Sequence, residues 1–260
     1  MKKKLKDRVK HMGIALWLLM NEKTFRRNDT RLKYLFYKGN SDVLIVSFSA
    51  YNKEKALYNY IRTLKNIDAS KLYIKDDFSK NKKGSYYLGE KGKHNVEGTV
   101  CELIQHYVEK LGFNNESRLI FVGSSKGGYA AINFGLEFDN SYIISGAPQY
   151  FLGTHLNEPY FYDMLEDVVG ERTEANIQSL DNHIRNKIQK LHHNSHVFLQ
   201  YSNKEPIYET QIKHLVEDLS NSDIKCEFCE LDYPEHADVH KYFPKYLHDS
   251  IMSIINSRNE

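Results

Sequence analysis

From residue 30 onward, short apolar runs alternate with amphipathic stretches, and this rhythm predicts successive strands and helices. Leu32 to Tyr37 and Val43 to Ala50 read as strands joined by the turn Lys38-Gly39-Asn40-Ser41. Glu54 to Asn66 reads as a helix and Lys71 to Lys75 as a strand. Asp76 to His94 is polar and glycine-punctuated, which predicts a long loop, and such loops inside compact domains tend to be functional or disordered. Val96 to Leu111 reads as a helix, Arg118 to Val122 and Ser141 to Ser145 as strands. Residues 155 to 192 then carry two helical patterns with no strand between them, as expected of a helical insertion over the C-terminal edge of a sheet. Alternation resumes with strand His196 to Ser202, helix Thr210 to Leu219, strand Ile224 to Tyr233 and a helix from about Lys241. Alternating units of this kind predict an α/β domain over residues 30–260, with a mostly parallel sheet covered by helices on both faces. Right-handed crossovers then bring the C-terminal ends of the parallel strands to one rim, where ligands bind.

Residues 1–29 form a separate expectation. Lys2, Lys3, Lys4, Lys6, Arg8 and Lys10 precede a nine-residue apolar run, Met12 to Met20. The run is too short to span a bilayer and no small-residue cleavage site follows it. A basic, amphipathic or docking helix over roughly residues 3 to 22 is expected, with at most a weak contact to an anionic membrane surface. The expected location is cytoplasmic, peripheral to the inner membrane face if that contact forms.

Composition narrows the functional classes. The 260 residues are 41% hydrophobic and 27% charged, ordinary for a soluble globular protein. A net charge of +2 gives no general case for nucleic acid. Nineteen Tyr and 13 Phe stand against a single Trp; tyrosine suits carbohydrate surfaces, and an overall tyrosine-rich composition explains the count equally well. Cys101, Cys226 and Cys229 are too few for a disulfide framework. Cys226 and Cys229 lie three apart in a strand-like stretch, hence on opposite faces, and no second pair completes a zinc site.

The chemistry concentrates at Gly123-Ser124-Ser125-Lys126-Gly127-Gly128, between the apolar run Arg118-Leu119-Ile120-Phe121-Val122 and the helical pattern from Tyr129 to Leu136. Strand, G-x-S-x-G, helix is the pattern of a nucleophile elbow, in which a serine on a sharp turn exposes its hydroxyl between very small neighbours. A phosphate loop is disfavoured because Lys126 precedes the paired glycines instead of following them. Serine needs a base to take its proton, and the base needs an orienting acid. Both partners are available at strand ends in the order serine, acid, histidine. Glu205 follows the strand His196 to Ser202, and His236 follows the strand Ile224 to Tyr233. His240 competes as base; Asp232 and Asp238 compete as acid. The Lys126 N–H is the expected first oxyanion donor, and the N–H of Tyr51 or Ala50 the second. Tyr86, Tyr87 and Gln149 are candidate substrate-binding residues, and neither metal nor cofactor is required.

In serine, acid and histidine order and placement, residues 30 to 255 resemble the α/β-hydrolase superfamily. More specific strings are Val46-Ser47-Phe48-Ser49-Ala50, Tyr73-Ile74-Lys75-Asp76-Asp77-Phe78, Gly84-Ser85-Tyr86-Tyr87-Leu88-Gly89, Gly146-Ala147-Pro148-Gln149 and Pro234-Glu235-His236-Ala237-Asp238-Val239. With the elbow, these are similar to bacterial hydrolase-fold proteins found with capsular-polysaccharide biosynthesis and to the glycan-modifying component of the accessory Sec system. The resemblance implies a serine-dependent esterase or O-acetyltransferase acting on acyl groups of cell-surface glycans. The extra domains of the accessory Sec proteins are not in these 260 residues, so a role in secretion is not expected from them. A non-catalytic glycan-binding scaffold, or a thioesterase or peptidase, would fit the same fold.

Overall fold

The computed structural model describes residues 17, 18, 20–190 and 194–257. Among them, eight strands form one sheet: β1 (Lys23–Arg27), β2 (Thr30–Tyr37), β3 (Val43–Phe48), β4 (Ser70–Lys75), β5 (Arg118–Ser124), β6 (Tyr142–Gly146), β7 (His196–Ser202) and β8 (Lys225–Leu231). The spatial order is β1-β2-β4-β3-β5-β6-β7-β8. β2 runs antiparallel to β1 and β4, and every other pairing is parallel. The central strands are near-continuous apolar runs because both of their faces are covered; all six residues of β3 are buried.

Helices α1 (Asn95–Lys110) and α2 (Lys126–Gly135) make the crossovers on either side of β5. α1 buries Val96, Val100, Leu103, Ile104 and Tyr107, one stripe at three- and four-residue spacing. α2 is buried along its whole length. β6 shows how the sheet is sandwiched. Ile143 and Gly146 are an odd number of residues apart and face opposite sides. A Cβ on Gly135 of α2 would meet Ile143 at 2.3 Å, and one on Gly146 would meet Phe243 at 2.4 Å. Phe243 belongs to α7 (Val239–Asn256), so α2 and α7 clasp opposite faces. The topology and its helical cover are those of the α/β-hydrolase fold.

Between β6 and β7 the chain forms α3 (Leu152–Leu156), a 3-10 turn at Pro159–Phe161, α4 (Tyr162–Val169) and α5 (Glu174–Lys190), with no strand among the described residues. Asp181 of α5 accepts from the Thr154 N–H at 2.8 Å and hydroxyl at 2.6 Å. Arg185 reaches Asp218 at 2.9 Å in α6 (Lys213–Ser220), which a π-helical turn at Tyr208–Ile212 precedes.

Two elements differ from expectation. The predicted helix from Glu54 to Asn66 is absent, replaced by irregular chain and turns. Its side chains and backbone serve the sheet instead. The Asn59 amide oxygen accepts from Ala50 N–H at 3.1 Å, its carbonyl accepts from Ser47 at 3.3 Å, and Tyr60, at φ 61°, meets the Ser124 hydroxyl at 2.5 Å. Such tertiary bonds outweigh a modest helical preference. Second, Lys23–Arg27 is the edge strand of the sheet, so the sheet starts before residue 30. Residues 17, 18, 20 and 21 are helical, and the rest of the basic N-terminal segment lies outside the described residues. No described helix is long and apolar enough to cross a membrane.

Nine of the nineteen tyrosines are buried core residues. Tyr34, Tyr73, Tyr107, Tyr129, Tyr150, Tyr201 and Tyr233 are all buried, which accounts for much of the aromatic composition without any ligand.

Candidate active site

Ser125 is the single residue between the end of β5 and the start of α2, with φ 52° and ψ −123°. This is a left-handed φ that costs a non-glycine residue of order 1–3 kcal/mol. Surrounding structure holds it there: its N–H donates to the Gly146 carbonyl at 2.8 Å, and its carbonyl accepts from Tyr129 N–H at 3.0 Å. The small neighbours are sterically required. A Cβ on Gly123 would lie 2.2 Å from the Gly127 oxygen, and one on Gly127 would lie 2.9 Å from the Phe48 oxygen.

Two rim loops bring partners to this hydroxyl. His236 opens a 3-10 turn, His236–Asp238, after β8, and its Nε2 is 2.9 Å from Ser125 Oγ. Its Nδ1 is 2.6 Å from Oε2 of Glu205, which follows β7. The Glu205 side chain has no exposed surface. Its other oxygen accepts from Ser202 N–H at 3.3 Å and Tyr233 hydroxyl at 3.5 Å, so the carboxylate is aimed and solvated by the protein. An ionised carboxylate accepts from Nδ1–H, which leaves Nε2 as the acceptor for the serine proton.

The competing residues are placed elsewhere. His240 is exposed and turns its Nδ1 to the Ala237 carbonyl. Asp232 is exposed, and Asp238 pairs with Lys241 at 2.6 Å.

Lys126 is the first residue of α2, where backbone N–H groups have no acceptor within the helix. Of the two further oxyanion candidates, the Ala50 N–H is already committed to Asn59. Tyr51 is half-buried. Its hydroxyl donates to Tyr160 at 3.3 Å, and burial together with that bond pushes it up to about 12. The Gln149 amide nitrogen donates to Ser125 Oγ at 3.3 Å, which places this substrate-binding candidate beside the serine hydroxyl.

Tyr86 and Tyr87 require correction as substrate contacts. Both are buried. The Tyr87 hydroxyl accepts from the Ser49 N–H at 2.7 Å and donates to the Ile74 carbonyl at 2.9 Å, so it braces the ends of β3 and β4. The Tyr86 hydroxyl reaches Gln149 at 3.4 Å and its ring packs edge-on against Tyr129, behind the site. The loop is polar in sequence, but φ values of 53° and 60° at the two tyrosines fold their rings inward.

Other residues reach the site without a local sequence signal. The insertion contributes His155, whose ring centroid is 4.9 Å from that of Phe161, and Phe161 in turn packs edge-on against Tyr51 at 5.7 Å. Burial, with the nearby charge of His236, lowers the pKa of His155 to about 4. The Lys126 side chain runs inward, away from the site, to Asp76.

The model of the accessory Sec system GspB-transporter family matches residues 3–226. The chain belongs to that family. An accessory Sec system protein of Streptococcus gordonii is 29% identical over 197 residues, which cover 72% of this chain and 37% of that protein. The chain thus spans little more than a third of that relative's length. Among solved structures, the capsule O-acetyltransferase of Neisseria meningitidis serogroup A superposes with a TM-score of 0.72 at 19% identity, covering 88% of this chain and 94% of that one. A chain of the Glycosylation Associate Protein complex of Streptococcus agalactiae gives 0.68 at 21% identity, covering 87% of this chain and 46% of that one. At these identities the structural likeness establishes the shared fold.

Proposed function

We propose that this accessory Sec family member is a serine-dependent acyl hydrolase or acyltransferase acting on O-acyl groups of a bacterial surface or capsular glycan. Ser125 is the nucleophile, His236 the base and Glu205 the acid. The observation that carries the reading is the unbroken hydrogen-bond path of 2.9 Å and 2.6 Å from Ser125 through His236 to a buried Glu205. The glycan assignment draws on the family and on the capsule and glycosylation proteins that share the fold.

In this mechanism Ser125 Oγ attacks an ester carbonyl while His236 Nε2 takes its proton. Glu205 then faces an imidazolium, and its charge, shielded from water, stabilises that state. The oxyanion accepts from the N–H groups of Lys126 and Tyr51, with the Gln149 amide beside them. Collapse expels the alcohol, which receives the proton from His236, and leaves an acyl-serine. A water or a sugar hydroxyl, deprotonated by His236, attacks the acyl carbon; the acyl–oxygen bond breaks and the departing Ser125 Oγ takes that proton from His236. Water gives an esterase and the sugar gives a transferase.

Labelling with a fluorophosphonate probe, together with turnover of an activated acyl ester with and without an oligosaccharide acceptor, tests the proposal. Ser125→Ala should abolish labelling and lower turnover ~10³-fold or more. Ser124→Ala should retain labelling, since that hydroxyl faces Tyr60. Undiminished labelling of Ser125→Ala would overturn the assignment.

A further inference from the structure

Away from the elbow, Glu97 in the first turn of α1 gathers side chains from three other segments. His94 Nδ1 lies 2.7 Å from its Oε2. On Oε1 converge His183 Nε2 at 2.9 Å, Asn133 Nδ2 at 2.8 Å and Lys187 Nζ at 3.0 Å. His94 precedes α1, Asn133 lies in α2, and His183 and Lys187 lie one turn apart on α5. The cluster therefore joins the insertion to the body of the domain. It shares no residue with the Ser125 site.

Three features go beyond an ordinary ion pair. His94 occupies the N-cap position of α1 at φ 50°, yet its side chain makes no cap hydrogen bond. A left-handed backbone at a non-glycine residue costs energy, and here it turns the imidazole toward Glu97. The His94 and His183 rings stack with centroids 5.3 Å apart and planes 17° apart. Finally, one donor atom from each of His94, Glu97 and His183 lies within 4.8 Å of the others, beside a cavity of about 220 Å³ that both histidines line.

We propose that His94, Glu97 and His183 form a binding site for a transition-metal dication, with Zn²⁺ the ion their donors suit best. Two imidazole nitrogens and one carboxylate oxygen are a borderline-soft set; Ca²⁺ and Mg²⁺ take oxygens. Zinc bonds of about 2.0–2.2 Å place tetrahedral ligands roughly 3.3 Å apart, a spacing between the 2.7 Å from His94 Nδ1 to Glu97 Oε2 and the 4.8 Å within which all three donors lie. Three protein ligands leave the fourth position to a water in the adjoining cavity. Ligation through Oε2 leaves Oε1 with Asn133 and Lys187, the outer-shell bonds that orient a ligating carboxylate. Glu137 also pairs with Lys187 at 2.5 Å and balances its charge. A metal here would clamp α5 to the start of α1.

The test is calorimetric titration of the chelator-treated full chain with Zn²⁺, paired with thermal melting and Zn-edge X-ray absorption. Expected results are one ion per chain, a melting point raised by Zn²⁺, and a shell containing two imidazoles. His94→Ala and His183→Ala should each weaken binding at least about 100-fold, whereas His248→Ala, at an exposed histidine, should not. Absence of a stoichiometric site, or wild-type affinity in both ligand variants, would overturn the proposal and leave Glu97 as a hydrogen-bonded clamp. If neither ligand variant folds, the absorption spectrum of the native protein decides: a shell without paired imidazoles also overturns it.

Discussion

The Lys126 ammonium lies 2.7 Å from the Asp76 carboxylate, and neither side chain has any exposed surface. The pair ties the residue after Ser125 to the rim end of β4. Asp76 also accepts from the N–H groups of Ser85 at 3.0 Å and Tyr87 at 3.2 Å, and the Lys126 ammonium is 5.2 Å from the Tyr87 ring centroid. The residue whose N–H is assigned to the oxyanion is thus anchored by its own side chain. Removing one member of a buried pair leaves an uncompensated charge and costs about 3–5 kcal/mol. Lys126→Met and Asp76→Leu should each destabilise by that order in urea denaturation and slow turnover of small activated esters. The double variant should lose less stability than the two singles combined, because no lone charge remains buried.

Histidine substitutions separate the base from its neighbour. His236→Ala should lower ester turnover ~10³-fold or more, since it removes the proposed base, whose Nε2 lies 2.9 Å from Ser125 Oγ. His240→Ala should stay near wild type, because that ring is exposed and bonded to the Ala237 carbonyl. Steady-state kinetics of the two variants on one activated ester check both outcomes.

Tyr87→Phe removes a hydroxyl that joins Ser49 to the Ile74 carbonyl inside the core. Leaving those groups unpaired should cost about 1–3 kcal/mol. Any loss of activity should be proportional on simple esters and on glycan esters, since the ring is buried in the core. Equilibrium denaturation and parallel assays on both substrate types measure this.

Why some of this is legible in the chain and some is not follows from how local each signal is. The gathering of Ser125, Glu205 and His236 can be read because each follows a strand, and a parallel sheet delivers those strand ends to one rim. Gly123 and Gly127 announce a tight turn without reference to anything distant. The partner of Lys126 is 50 residues upstream, and the partners of Glu97 on α5 are 86 and 90 residues downstream. No periodicity links such positions. The segment from Glu54 to Asn66 has helical spacing but is drawn into turns by bonds from Asn59 and Tyr60 to the sheet and elbow. Tyr86 and Tyr87 mislead for the same reason: a glycine-rich polar loop suggests exposure, while the backbone turns both rings inward.

His155 should make stability depend on pH. Burial, with the nearby charge of His236, lowers its folded pKa to about 4, whereas an imidazole in the unfolded chain titrates near 6.5. Between those values the unfolded chain binds the extra proton, so stability falls as pH drops from about 6.5 to about 4 and this contribution is flat outside that window. The shift corresponds to at most about 3 kcal/mol. His94 acts in the opposite direction, because its bond to Glu97 raises its pKa against burial, but it does so in wild type and variant alike. Urea denaturation of wild type and His155→Phe at pH 7, 5.5 and 4.5 therefore isolates the His155 contribution. The wild type should lose stability more steeply toward acid than the variant, and parallel slopes would show that His155 takes up its proton as readily folded as unfolded.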